Sequence, residues 1–389
     1  MRHFEFLSPA DTATLFAQPP AEFTADAGRD VLADALGATL YSPATRPRLA
    51  DDLVRARERG VVSSVVCLED AIADADVERA RDHLVAELRA LAGDPDRLAR
   101  VPLIFVRVRT PDQITRIAAD LAGSSAPLVG FVVPKFTSAT GGAFLDAVRA
   151  ASVRLGRRLW AMPVIETPDV IHLETRREAL TAIAGLLAEH RDQVLAVRTG
   201  GTDLASAYGL RRPKELTVYD VRLLADVLGD VVNLLGRPGE EGFVVTGPVW
   251  EYFSGTERLF KPQLRATPFV EHAEQALRSQ LLGAELDGLI REVVLDRANG
   301  LFGKTVIHPS HVPVVHALSV VSHEDYSDAT AVLGMGRGGG GAFSSEYGNK
   351  MNEASPHRTW AERTVRRAQA FGVAASGVSF VDLLAVEHG

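Results

Sequence analysis

Short runs that are apolar at almost every position alternate along the chain with longer amphipathic stretches. Eight such runs stand out: Leu36 to Tyr41, Val61 to Leu68, Leu103 to Val108, Leu128 to Val133, Leu159 to Ile165, Val194 to Arg198, Gly242 to Thr246 and Thr305 to His308. Strands buried on both faces, as in a parallel sheet, read this way. Helical spacing fills the intervals, in Arg48 to Arg59, Ala75 to Ala92, Asp112 to Ala122, Gly142 to Leu155, Arg176 to His190 and Asp220 to Leu228. Strand and helix alternating eight times predict an α/β fold of the (β/α)8 barrel type rather than an open sheet.

Such barrels take about 250 residues, and this chain has 389. The surplus is expected between Ala205 and the seventh strand, between Trp250 and Gly300, and after the last strand. The first two are candidate active-site loops or extra helices. A helical stretch around His316 to Leu333 leads into Gly334-Met-Gly-Arg-Gly-Gly-Gly-Gly341. Because that run follows a helix instead of a strand, it reads as a hinge and not as a dinucleotide-binding turn. The expected division is a barrel domain over residues 1–320 and a helical lid or oligomerisation segment over 321–389.

Composition narrows the classes. A chain that is 46% hydrophobic and 24% charged can bury a large core, and its net charge of −8 argues against general nucleic-acid binding. No uncharged run is long enough for a bilayer, and the start, Met1 to Pro9, lacks the apolar core of a signal peptide. With Cys67 as the sole cysteine, an intrachain disulfide and a cysteine-based metal cage are excluded, so a cytoplasmic location is expected.

In a barrel of this kind, chemistry is built at the C-terminal ends of the strands. The residues there are Glu69 and Asp70, Arg107 and Arg109, Lys135, Glu166, Arg198 with Asp203, the segment Trp250 to Phe253, and His308. Glu166, in Met162-Pro-Val-Ile-Glu-Thr-Pro168, and Asp203, in Val197-Arg-Thr-Gly-Gly-Thr-Asp-Leu204, are a candidate carboxylate pair for Mg2+. Arg107, with Arg109, Lys135 and Arg198, would hold the carboxylates of a small anionic oxyacid. Each also has an ordinary reading: Glu69 could pair with Arg107 across neighbouring strands, Lys135 could be a solvated loop charge, and His308 could cap the last strand.

Seven segments carry a family resemblance: Leu40-Tyr-Ser-Pro-Ala-Thr-Arg-Pro-Arg48, Cys67-Leu-Glu-Asp-Ala-Ile72, Phe105-Val-Arg-Val-Arg109, Val133-Pro-Lys-Phe136, Ile165-Glu-Thr167, Gly201-Thr-Asp-Leu204 and Gly303-Lys-Thr-Val-Ile-His-Pro309. In this order the chain resembles the HpcH/HpaI aldolase and citrate lyase β-subunit family, most closely a divergent lyase-like subgroup. The resemblance implies a barrel that cleaves or forms a carbon–carbon bond through a metal-stabilised enolate. It implies Mg2+, with Mn2+ as a substitute, on Glu166 and Asp203; Arg107 on the substrate and the enolate; and Glu69 and Asp70 orienting Arg107. The substrate would be a small 2-oxo or hydroxy acid, with an acyl-CoA lyase on a coenzyme A thioester, or a malate-synthase-like condensing enzyme or thioesterase, open as alternatives.

The chain departs from the pattern at Arg109, where family members often carry Asn, and at Cys67, where they often carry Asp. In the acyl-CoA branch of the family, a C-terminal segment brings an acidic residue to a neighbouring subunit. Lys350-Met-Asn-Glu353 aligns with it, which makes Glu353 a candidate acid or base across an interface and implies a homo-oligomer, a trimer or hexamer. Two other classes compete. A non-catalytic regulatory barrel would be expected to lose a metal ligand or Arg107, and none is lost; a phosphotransfer loop at Gly303-Lys-Thr305 would need glycine where Ala298 stands.

Overall fold

A computed structural model describes residues 1–239, 241–253, 286–335 and 341–388. Eight parallel strands close into a barrel in chain order: β1 (Ala38–Pro43), β2 (Ser63–Cys67), β3 (Leu103–Arg107), β4 (Leu128–Val133), β5 (Trp160–Ile165), β6 (Val197–Thr199), β7 (Val245–Trp250) and β8 (Lys304–Val306). Closure is made by β8 against β1, with Thr39 opposite Thr305. All eight predicted strands are present. Their bounds differ most at the seventh, expected over Gly242 to Thr246 and found some residues later, because Phe243 and Val244 belong to the approach to the sheet.

Alternation along each strand divides the core into two. On β2 to β5, Val65, Phe105, Val132 and Met162 fill the barrel, while Val66, Ile104, Phe131 and Ala161 pack under the surrounding helices. The helices follow local signals. In Pro111–Leu121, Thr110 caps the first turn by accepting from the Gln113 N–H, proline occupies the first turn, and Ile114, Ile117, Ala118 and Leu121 form one buried stripe. Burying each isoleucine or leucine of this stripe is worth about 1.5 to 3 kcal/mol. Ser138–Leu155 begins on a Thr137 cap and ends at Gly156, whose φ of 65° is the left-handed turn that glycine adopts without a side-chain clash.

The stretch expected as one helix around His316 to Leu333 is two, His311–Ser319 and His323–Gly334. The break lets Val321 bridge to Val373, and Ser322 caps the second helix. Residues after Gly341 form a hairpin (Ala342–Ser344 with Met351–Glu353), a helix (Arg358–Phe371), a short strand (Val373–Ala374) and a last helix (Phe380–His388). Val373–Ala374 pairs with Phe16–Gln18, and Arg366 of the long helix meets Asp34 of Arg29–Ala35, the helix that enters β1. Thus the segment expected as a lid docks in this chain on the N-terminal end of its own barrel, and buried Phe371, Val381, Leu383 and Leu384 bind it there. The hinge expected in the glycine run falls mostly on residues 336–340, which lie outside the described residues.

Candidate active site

Strand alternation aims three residues at the barrel axis. Glu69 continues the inward series Val65, Cys67; Arg107 continues Leu103, Phe105; Glu166 continues Met162, Val164. Each stands at or just beyond the C-terminal end of its strand, so they meet at one mouth. Arg107 Nη2 lies 2.6 Å from Glu69, 3.1 Å from Asp70 and 3.2 Å from Glu166. Glu69 and Glu166 are almost fully buried. Asp203 joins from the helix Gly201–Ser206, which begins directly after β6.

Two backbone positions make this packing possible. Lys135 shares the outward parity of Val133, yet its φ of 48° breaks the alternation. Left-handed backbone costs a non-glycine residue about 1 to 2 kcal/mol. In return, the Lys135 N–H donates to Glu166 Oε1 at 2.9 Å, and its Nζ stands 2.6 Å from Glu69, 3.2 Å from Asp70 and 4.0 Å from Asp203. At Gly200 a Cβ would lie 2.0 Å from Glu166 Oε2, so only glycine lets the β6 exit pass this carboxylate.

The charges are strongly coupled. Burial, with Asp203 and Glu69 adding repulsion against the pull of Arg107, pushes Glu166 up to about 7. Burial raises Glu69 as well, whereas its neighbour Asp70, despite its own desolvation, is held low by its bond to Glu69 and by Arg107 and Lys135. Desolvation would weaken the protonation of Arg107, but Glu166, Tyr41 and Glu69 outweigh it and hold the guanidinium charged. Its Nε is buried with no partner among the described residues, an unsatisfied donor inside the site.

Other expected site residues are placed differently. Arg109 lines the same cavity of about 550 Å³ as Glu69, Asp70 and Lys135. Its guanidinium, however, donates to the carbonyls of Leu68, Glu69 and Ile72 and meets Asp74. Having left the sheet after Arg107, the chain no longer aims it inward, and it braces the loop that carries Glu69 and Asp70. Arg198 is sealed inside the barrel below the mouth, donating to Thr39 and Thr305 under the Tyr41 ring. His308 stacks on Phe253 with ring centroids 5.0 Å apart and bonds Ser310. Cys67, buried with its thiol pushed up chiefly by burial, is held as a packing residue. Glu353 lies in the tail hairpin, its N–H donating to His357, away from its own chain's mouth. Tyr41 and Gly200 belong to the site but were not singled out from the sequence, since their roles appear only once Glu166 and Arg198 are in place.

The donor set suits a hard cation. Among the described residues, no three His, Cys, Asp or Glu side chains converge as a closed metal cage. Two carboxylates, Glu166 and Asp203, both held against Lys135, are the oxygen donors that suit Mg2+, which keeps water and substrate oxygens in its coordination sphere.

A family model for C–C bond lyases of the TIM-barrel fold matches residues 30–373. The chain belongs to this family. Carbon–carbon bond lysis is therefore its class of chemistry. Among solved structures, CitE from Mycobacterium tuberculosis, in complex with magnesium, acetoacetate and coenzyme A, is 23% identical over 86% of this chain and 99% of its own, with a TM-score of 0.52. A citrate lyase from Burkholderia xenovorans LB400 is 16% identical over 90% of this chain and 96% of its own, with a TM-score of 0.61. These two likenesses establish the fold. No curated protein matches the chain.

Proposed function

We propose that this lyase acts on a small 2-oxo or hydroxy acid with Mg2+ held by Glu166 and Asp203, through an enolate. The single observation that carries this reading is the mouth itself, where Arg107 stands among Glu69, Asp70 and Glu166. The magnesium and acetoacetate in the M. tuberculosis CitE structure support it. When bound, Mg2+ supplies a Lewis acid for the substrate's carbonyl and carboxylate oxygens. Arg107 offers its charge where the enolate oxygen develops: the hydroxyl of the departing carbon gives its proton to water and becomes a carbonyl as the carbon–carbon bond breaks and its electron pair moves toward the enolate oxygen. Glu69 and Asp70 fix the guanidinium, and Lys135 adds positive charge at the rim. The cleaved fragment then takes a proton on carbon. Glu353 of a neighbouring chain is the proposed donor, in a homo-oligomer. Whether the acid enters free or as a coenzyme A thioester is decided by offering both.

Calorimetry with Mg2+, together with deuterium exchange of the methyl protons of pyruvate, tests the reading. Wild type should bind the ion and exchange; Glu166→Gln and Asp203→Asn should lose both while remaining folded. Unchanged Mg2+ affinity in the two variants overturns the metal assignment. Full Mg2+ binding without exchange or cleavage of any 2-oxo acid or thioester points instead to a non-catalytic barrel.

A further inference from the structure

The end of the barrel opposite the carboxylate mouth holds a second cavity, about 500 Å³ in volume. Its floor is made by residues that lead into β6, β7 and β8, and its roof by the docked helix Arg358–Phe371. Six arginines from separate stretches of the chain face it: Arg29, Arg237, Arg297, Arg363, Arg366 and Arg367. Among the described residues, three carboxylates share the wall, those of Asp30, Asp34 and Glu362. They are partly used already. Asp30 takes Arg29 at 3.1 Å, Asp34 takes Arg366 at 3.3 Å, and Glu362 takes Arg358 at 3.3 Å. Burial, ahead of the opposing pull of Arg366, pushes Asp34 up to about 6, which leaves it charged near neutral pH and committed to Arg366.

The remaining cations are poorly satisfied. Arg363 reaches the Gly236 carbonyl at 3.2 Å and stands over the Phe302 ring; Arg297 reaches the Leu318 carbonyl at 2.5 Å but leaves a buried Nε without a partner. Arg367 makes no hydrogen bond or ion pair with any described residue, and its Nε is buried. Burial first, and the charge of Arg297 second, push it down to about 9, with Asp325 offsetting part of this. A buried cation without a counter-charge is costly. A fold that gathers several of them around an open volume has left room for an anion.

We propose that this cavity is a second ligand site, separate from the catalytic mouth, that takes a phosphorylated small molecule carrying two or more negative charges. Planar guanidinium forks match phosphate oxygens two at a time. Phe243, Phe302 and Phe371 supply an apolar wall for an organic body. Since the roof belongs to the tail and the floor to the barrel, an occupant would tie the two together and raise the stability of the whole chain.

The test uses the full chain in EDTA, so that no ion bridges a phosphate to the mouth. Inorganic pyrophosphate and ATP are titrated by calorimetry and by thermal melting, against sodium chloride at matched ionic strength as the control for screening. Both should raise the melting temperature beyond the chloride control. ATP binding more tightly than pyrophosphate identifies a nucleotide-like ligand that uses the apolar wall; equal affinity identifies the phosphates as the whole of the recognition. Arg367→Gln should weaken binding by about tenfold or more. Exposed Arg237→Glu, which leaves the core untouched, should do the same without altering Mg2+ binding at the mouth. No shift beyond chloride for either anion, or wild-type affinity in folded Arg237→Glu, overturns the proposal.

Discussion

Glu166 is nearly buried, touches Arg107 and accepts from the Lys135 N–H, yet burial still holds it up to about 7. A raised acid binds a proton more readily folded than unfolded. It therefore costs the metal-free chain stability as the pH rises from its ordinary value of 4.5 toward 7. A divalent ion needs the carboxylate form, so binding must expel that proton below pH 7. The expected result is an Mg2+ affinity that falls by about one log unit per pH unit below 7 and levels off above it. Calorimetry near pH 6 in buffers of different ionisation enthalpy should count close to one proton released. A pH-independent affinity between 5 and 8 would show that Glu166 is not the group displaced.

At the scale of elements, the site exists because strand ends are rigid and their exits are not regular. Parity alone brings Glu69, Arg107 and Glu166 inward. Lys135 arrives through a left-handed backbone, and Asp203 through a helix that starts where β6 stops. The glycine at 200 is the narrowest point, with no room for a methyl group beside Glu166. Gly200→Ala should push the Glu166 carboxylate off its place. We expect Mg2+ binding to be lost and the fold to be retained with a penalty of about 1 to 3 kcal/mol, measured by denaturant melts. Metal binding at wild-type strength in that variant would mean that the β6 exit can move aside freely.

Across the whole molecule, the tail and the barrel are one packed body, with Arg358–Phe371 and Phe380–His388 seated at the end away from the mouth. Any contribution of Glu353 to catalysis must therefore be made to another chain. Mixed oligomers offer the check. Arg107→Lys subunits keep a charge but lose the planar fork, and Glu353→Gln subunits lose the acid. Each alone should fall by orders of magnitude in turnover, and exchanged mixtures should recover part of it. Absence of recovery, in mixtures verified to have exchanged subunits, would remove Glu353 from the reaction.

The sequence by itself determined the barrel, because eight runs apolar on both faces have few other places to be buried, and it determined which acids and cations could share a rim. Glu69, Asp70, Arg107, Lys135, Glu166 and Asp203 were legible there as strand-end residues, and the structure brings all six together. Arg109 and Arg198 were equally plausible on paper. What separates them is tertiary: one strand had already left the sheet, so Arg109 turned to loop carbonyls, while Arg198 sits a layer lower among Thr39, Thr305 and Tyr41. The docking of the tail could not be read from its glycine-rich approach, since it depends on apolar surfaces far apart in sequence, such as Val373 against Val321. The basic cavity beneath the barrel likewise has no local signature. Its arginines lie between residues 29 and 367 and become one electrostatic feature only when the tail closes over the floor.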